Sequence, residues 1–318
     1  MNLKIYGLLI SGSFFIPSFV YAQKIYSVQS PTGYYILPGQ MGKKGKPYGP
    51  TFPPEKANWN IGQWGTPLDL PSFNDQNVSA NQWAKVIFSP SGLKLSQNAQ
   101  NFSCMRIYPS GRKMAAEWAL FEGPNNQAYK DLPRAMPSAN LALSDLEQVR
   151  LHVTISLDTL KLTDHLCSIN KAFIVEGFVL VNTFSHQTLF YSVGTFLLGS
   201  GNTLSSYQIV RPANEDRTHG GITYFKGENM ETGAKHVFGY SVPISEAFGA
   251  PELEVGKTIT YNLNVLPSLI KTIRSINNLD QNLDHWTLRS FFQGQTIAGH
   301  IIITSTWQNT KLDLYSKI

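Results

Sequence analysis

The chain has 318 residues, of which 42% are hydrophobic, 12% aromatic and 15% charged, with a formal net charge of +5. No basic stripe accompanies that charge, which argues against a nucleic-acid partner. Two cysteines are too few for a disulfide-framework protein, and past the N-terminus no run approaches the roughly 20 apolar residues of a membrane-spanning helix.

Residues 1–22 have the parts of an export signal. Lys4 precedes the apolar stretch Ile5 to Val20, and Val20-Tyr21-Ala22 forms a small-residue cleavage pattern before Gln23. The expected destination is secreted or periplasmic. Cys104 and Cys167 suit such an oxidising compartment as a disulfide. A bridge between them would close a loop of about 60 residues, worth about 4 kcal/mol in the chain-entropy model. Two buried free thiols are the alternative.

Residues 23–75 are rich in Pro, Gly and Tyr and have breakers every few positions. Tyr34, Tyr35, Tyr48, Phe52, Trp59 and Trp64 predict an irregular arm packed on the body by its rings. The fragment "GQMGKKGK" is no phosphate loop, because Pro47 stands where Ser or Thr is needed. Its lysines, Lys43, Lys44 and Lys46, form the clearest basic cluster.

From Trp83 onward the pattern is of strands, predicting one sandwich domain over 76–318. "KMAAEWALF" sets Met114, Ala116, Trp118 and Leu120 against Lys113, Glu117 and Phe121. "QVRLHVTIS" alternates Val149, Leu151, Val153 and Ile155 with Arg150, His152 and Thr154. Phe173–Asn182 and Leu189–Leu198 are apolar on both faces, as central strands often are. Further strands are expected at Tyr207–Arg211, Gly221–Lys226, Lys235–Val242, Lys257–Val265, His285–Phe292, His300–Trp307 and Lys311–Tyr315. Trp118, Trp286 and Trp307 read as core by alternation.

"LALSDLEQV" predicts a helical turn capped by Ser144. "NVLPSLIKTIRSINN" predicts one amphipathic helix, with Leu266, Leu269, Ile270, Ile273 and Ile276 on a stripe, Asn264 as cap and Pro267 in its first turn. The fold class is therefore all-β: a two-sheet jelly-roll sandwich with one C-terminal helix and an irregular N-terminal arm.

Glu176 is a lone acid inside "FIVEGFVLVN". Its strand face also carries Ile174, Phe178 and Leu180, so desolvation is expected to raise its carboxyl pKa. Poorly hydrated acids at the floor of a groove serve glycoside hydrolysis and sugar recognition; pairing with a buried cation is the plainer alternative. Hydrolysis needs a second acid about 5–10 Å away, for which Glu117 and the Glu215-Asp216 loop are candidates. Asp216 and His219 are too few to make a metal site, and no cofactor is implied. The histidines form no HExxH or paired zinc spacing, and no GxSxG occurs. Trp59, Trp64 and Tyr224 are candidate stacking rings for sugar, or else pins holding the arm to the sandwich.

The C-terminal order of strand "TITYNLNV", helix "PSLIKTIRSI", strand "HWTLRSFF", turn "GQTIAG" and strand "HIIITSTW" resembles the end of concanavalin A-like jelly rolls, and more narrowly family-12 glycoside hydrolases. The resemblance implies a β-1,4-glucan-cleaving ancestry, with Glu176 at the position of a nucleophile on a central strand. The chain departs from that family in the turn Gly294–Gly299, which contains Gln295 and has no acid where the family places its catalytic Glu, so either another carboxylate has taken over or the groove only binds. The expected function is thus an exported protein binding a polysaccharide or oligosaccharide through Glu176, Gln295, Tyr224 and Trp64. A glycosidase or lyase using Glu176 and Glu117 is the alternative. A non-catalytic envelope or adhesion protein using the lysine arm is a third.

Overall fold

The computed structural model describes residues 22–28, 34–36, 59–64, 68–90, 92–101, 104–107, 113–115, 117–124, 141–163, 167, 170–198, 222–225 and 236–317. The strands there are β1 (Gln23–Val28), β2 (Tyr34–Ile36), β3 (Trp59–Trp64), β4 (Val78–Ala80), β5 (Ala84–Ser89), β6 (Gly92–Asn98), β7 (Met105–Ile107), β8 (Lys113–Ala115) and β9 (Glu117–Pro124). They continue with β10 (Leu146–Leu162), β11 (Lys171–Asn182), β12 (Gln187–Leu198), β13 (Ile222–Phe225), β14 (His236–Pro243), β15 (Thr258–Asn264), β16 (Trp286–Ala298) and β17 (Ile301–Ser316). The helices are α1 (Ile244–Phe248) and α2 (Leu266–Ser275).

Two sheets pack face to face as a jelly-roll sandwich. The seven-stranded sheet runs β15-β10-β17-β6-β5-β4, with β1 also on β17; the eight-stranded sheet runs β13-β14-β12-β11-β16-β9-β3-β2. β17 is long enough to hold β6 along its first half and β1 along its second, with β10 on its other edge. The alternation read from the sequence builds the space between the sheets. Val149, Leu151, Val153 and Ile155 are wholly buried from one side, and Ile174, Phe178 and Leu180 from the other. Trp118, Trp286 and Trp307 are core, as their parity predicted.

The predicted amphipathic helix is α2. Leu266, Leu269 and Ile273 are buried on its inner stripe while Lys271 and Arg274 are exposed. Its cap differs from expectation: Val265 holds that position, and the Asn264 side chain accepts instead from the Val149 and Leu266 amides. Ser268 Oγ and Tyr191 Oη lie 2.6 Å apart, tying the helix to β12. The "LALSDLEQV" turn is a short 3-10 helix, Leu143–Asp145, which contains Ser144 rather than being capped by it. Cys104 and Cys167 form a disulfide, with Cα atoms 5.7 Å apart.

The N-terminal region departs from the sequence reading. Within the expected irregular arm, Gln23–Val28 adds a strand to β17, and Tyr34–Ile36 and Trp59–Trp64 complete one side of the eight-stranded sheet. The arm is partly sandwich. The "GQTIAG" turn is a second departure: β16 continues through Ala298, and the chain reverses only at Gly299-His300. β17 likewise unites the two segments expected at His300–Trp307 and Lys311–Tyr315, across a register irregularity at Asn309, where φ is +55°. The export signal, Lys43–Lys46 and Tyr207–Arg211 lie outside the described residues.

Candidate functional site

The side chains of the eight-stranded sheet divide between an inner face, against the other sheet, and an outer face. β11 sends its even-numbered residues inward. Its register with β16 and β9 sets Glu176, Gln293 and Glu122 side by side on three neighbouring strands. All three are buried, Glu176 to 1% and Glu122 to 2% exposure. They meet residues of β17 from the opposite sheet. Trp307 Nε1–H donates to Glu176 Oε1 at 3.3 Å, and Gln293 Nε2–H donates to Thr310 Oγ1 at 2.9 Å. Glu122 accepts from the Tyr34 hydroxyl and from the Gln293 amide. One row away, Gln295 is fully buried and accepts from the Ser305 hydroxyl.

These groups form a polar seam through an apolar core. Burial pushes the Glu122 carboxyl up to about 7, with its hydrogen bonds from Tyr34 and Gln293 acting the other way. Burial also drives Glu176 well above the usual carboxylate range, against the Trp307 hydrogen bond, and the Glu122 charge adds to the rise. Tyr34 is raised by burial and by Glu122. Among the described residues, Glu176 Oε2 and Gln295 Nε2 have no hydrogen-bond partner. A cavity of ≈30 Å³, large enough to admit water, adjoins Glu122, Tyr34, Trp307 and Thr310.

The seam corrects three expectations. Glu176 does not stand on an accessible cupped surface. It has the predicted desolvation, but it is sealed between the sheets against an indole N–H rather than a cation, out of reach of a polymeric substrate. Gln295 is sealed in the same way. Trp59 is 1% exposed and packs edge-on to Tyr34 at 6.5 Å and to Phe291 at 6.3 Å, so it is core and not a sugar platform. Glu122 and Gln293 were not singled out from sequence. Yet Glu122 follows Trp118 and Leu120 at the same parity, the pattern that drew attention to Glu176.

The outer face is built differently. Asn60, Gly123, Phe292, Gly177 and Ser192 lie in one row across β3, β9, β16, β11 and β12. Gly62, Phe121, Gly294, Val175 and Gly194 form the next. The glycines let aromatic rings lie close to the sheet. A Cβ on Gly177 would sit 2.0 Å from Phe292 Cζ, so that ring occupies the space a side chain would take. Phe121 and Phe292 meet edge to face at 5.3 Å, and both are partly open to solvent. Asn60, Ser192 and Thr296 stand around them with comparable exposure.

The remaining predicted residues scatter. Glu117 pairs with Ala298, and Trp64 with Ala119, in rows continuous with the outer face; Tyr224 pairs with Phe238, in a row that continues to the buried Leu189. The side chains of these three lie outside what is described, as do Glu215, Asp216 and His219 altogether. Among the described residues no group of three His, Cys, Asp or Glu is placed to hold a metal ion. No described helix is long and apolar enough to cross a membrane. A surface hollow of ≈700 Å³ beside α2 contains none of the predicted site residues.

No protein-family model matches the chain, and no curated protein does. Several solved structures resemble it in outline. The family 11 xylanase from Neocallimastix patriciarum is 10% identical, with 81% of this chain and 95% of that one covered and a TM-score of 0.40. The native family 12 xyloglucanase from Bacillus licheniformis is 14% identical over 78% and 98%, with a TM-score of 0.41. The xyloglucanase domain of NopAA from Sinorhizobium fredii, in complex with cellobiose, is 12% identical over 77% and 100%, at 0.36. Values this low carry no correspondence of residues or of activity.

Proposed function

We propose that the chain is an exported glycan-binding sandwich that takes a polysaccharide or oligosaccharide on the outer face of its eight-stranded sheet. One observation carries the reading: the Phe121–Phe292 pair laid on a floor of Gly177 and Gly294, with Asn60, Ser192 and Thr296 beside it. Sugar rings bury their C–H faces on aromatic surface while nearby amides and hydroxyls satisfy their hydroxyl groups, and a partly open apolar face with a few polar neighbours suits that division. The disulfide is compatible with an oxidising destination.

Binding fits better than cleavage, because glycoside hydrolysis needs two carboxyl groups flanking the bond. Glu122 and Glu176 both face the interior. Hydrolysis stays as the second reading on the strength of the Glu117 register position alone.

The test incubates the mature protein with a panel of insoluble and soluble polysaccharides, measuring retention, binding heat and new reducing ends. The expected result is binding to at least one glycan without release of ends. That binding should weaken at least about tenfold, a loss of ~1.4 kcal/mol, in Phe121→Ala/Phe292→Ala, with the far-ultraviolet circular dichroism spectrum kept. Binding unchanged in the double variant, or absent throughout the panel, would overturn the reading. Reducing ends that vanish in Glu117→Gln would replace it with the hydrolase.

A further inference from the structure

The polar seam has no part in the proposed glycan face, and its composition is unusual for a sandwich core. Two acids stand in one row with Gln293 between them, and among the described residues the hydrogen-bond partners of both are uncharged: Tyr34 and Gln293 for Glu122, Trp307 for Glu176. An ionised carboxylate offers about four acceptor sites. Glu176 has one donor at 3.3 Å and a second oxygen with none. As a carboxylate it would be a poorly solvated charge beside a second acid, an arrangement that costs several kcal/mol in low dielectric. As a neutral acid it needs far less.

Among the described residues, the seam's other neighbours supply no compensation. From β15 comes Tyr261, whose hydroxyl donates to the Pro251 carbonyl and is raised by burial and by the Glu176 charge, and from β2 comes Tyr34. β16 contributes Gln293 and Gln295, and β17 contributes Ser305, Trp307 and Thr310, none of which titrates. Lys311 and Asp313 of β17 pair with each other and, with Lys24, cluster around the Asp313 carboxylate away from the seam. Lys94 of β6 pairs with Asp158. Lys171, the cation of β11, has the opposite parity to Glu176 and aligns with Ala298.

We propose that Glu122 and Glu176 are held as uncharged carboxylic acids, so that the core of the sandwich is proton-dependent, more stable in acidic to neutral medium and less stable as the pH rises. The amide of Gln293 suits the neutral form, since its two ends are interchangeable at the level of heavy atoms. Turned over, it presents its oxygen to a protonated Glu122. The linkage has a definite sign. Both carboxyls titrate higher in the folded chain than in the unfolded one. Their stabilising effect is therefore complete below the ordinary value of 4.5. It fades as the pH rises through the folded values, about 7 for Glu122 and well above the ordinary carboxylate range for Glu176. Each acid changes the folding equilibrium constant by at most about tenfold per pH unit across its window.

The experiment follows the melting temperature of the mature protein from pH 5 to pH 9, with Glu122→Gln, Glu176→Gln and the double variant alongside. In parallel, infrared spectra of the folded wild-type protein at pH 6 in heavy water are read for the carbonyl stretch of protonated carboxylic acid. The wild-type melting temperature should fall across the range, the double variant should be nearly flat, and at pH 8 it should melt higher than wild type. The acid carbonyl band should be present at pH 6 and fade on titration toward pH 9. A wild-type profile without that fall, an undiminished slope in a folded double variant, or no protonated-acid band at pH 6 would each overturn the proposal. If the variants fail to fold, the wild-type band decides.

Discussion

The two faces of the eight-stranded sheet each carry residues of the type expected on the other. The inner face, where apolar groups are expected, holds Glu122, Gln293, Glu176 and Gln295; the outer face holds Phe121, Phe173, Phe292 and Val175 over glycines. A strand's side chains have a period of two, so each residue's face follows from its parity once one neighbour is placed. Phe291 and Phe292 show this most directly. They are adjacent in sequence, yet Phe291 is fully buried against Trp59 and Phe178, while Phe292 lies across Gly177 on the outside. Composition alone says little about which surface of a sheet is available to a ligand. Parity joined to sheet position does.

The sharpest way to break this comparison is to truncate each of those rings in turn. Phe291→Ala removes a wholly buried ring from the core and is expected to cost about 3–5 kcal/mol, since the space it leaves cannot fully collapse. Phe292→Ala removes a partly open ring whose main partner is Phe121, with an expected cost of about 0.5–1.5 kcal/mol. Urea denaturation of the two variants measures the difference. Equal losses would mean that the outer ring is as much a core residue as the inner one, and the platform would lose its basis.

The glycine floor can be tested next. A Cβ on Gly294 would lie 2.2 Å from the Leu120 carbonyl oxygen and 2.7 Å from the Phe121 Cα, both backbone atoms of the paired strand. Neither can rotate away, so Gly294→Ala must separate β16 from β9, at about 1–3 kcal/mol by the general cost of overpacking. At Gly177 the obstacle is the far end of the Phe292 side chain, which can swing aside. Gly177→Ala should therefore cost less stability than Gly294→Ala while displacing the Phe292 ring. The change in aromatic circular dichroism would report that movement.

Much of the inner face could be read from the sequence, and the reasons for the gaps are specific. Val149 to Ile155 alternate cleanly because their strand is apolar on one side only. Phe173–Asn182 is apolar on both sides, so the parity of Glu176 was clear but nothing local said whether that parity pointed in or out. β3 was hidden because Gln63 interrupts its buried row of Trp59 and Ile61. Gln63 is tolerated there because its side-chain oxygen accepts from the Leu70 amide at 2.8 Å, a contact absent from any local pattern. β1 was hidden because its partner, β17, lies at the other end of the chain. The glycines at 294 and 299 mimic a turn around Gln295. Gly294 instead lies within β16, where there is no room for a side chain.

The smallest effect contrasts the acids of the seam with Asp313, which is 7% exposed but has solvent-open lysines as partners. Asp313, on β17, accepts from Ser27 Oγ at 2.6 Å and pairs with Lys24 at 3.0 Å and Lys311 at 3.1 Å, both lysines being substantially exposed. Burial works to raise its carboxyl, but the Ser27 and lysine hydrogen bonds outweigh it and leave the carboxyl below the usual 3.8. Its sign is therefore opposite to that of the seam: the stabilisation is present above the unfolded pKa and is lost as the pH falls through the folded one. Exposed pairs of this kind contribute about 0.2–1 kcal/mol. Asp313→Asn should cost that much at pH 6, and its melting curve should converge with wild type as the pH falls through the lowered folded value and the carboxylate becomes protonated in both states. The Glu122 and Glu176 variants should diverge from wild type at the opposite end of the pH range. A difference for Asp313→Asn that persisted after that protonation would show that the site acts by packing and shape, leaving the buried seam without its electrostatic counterpart.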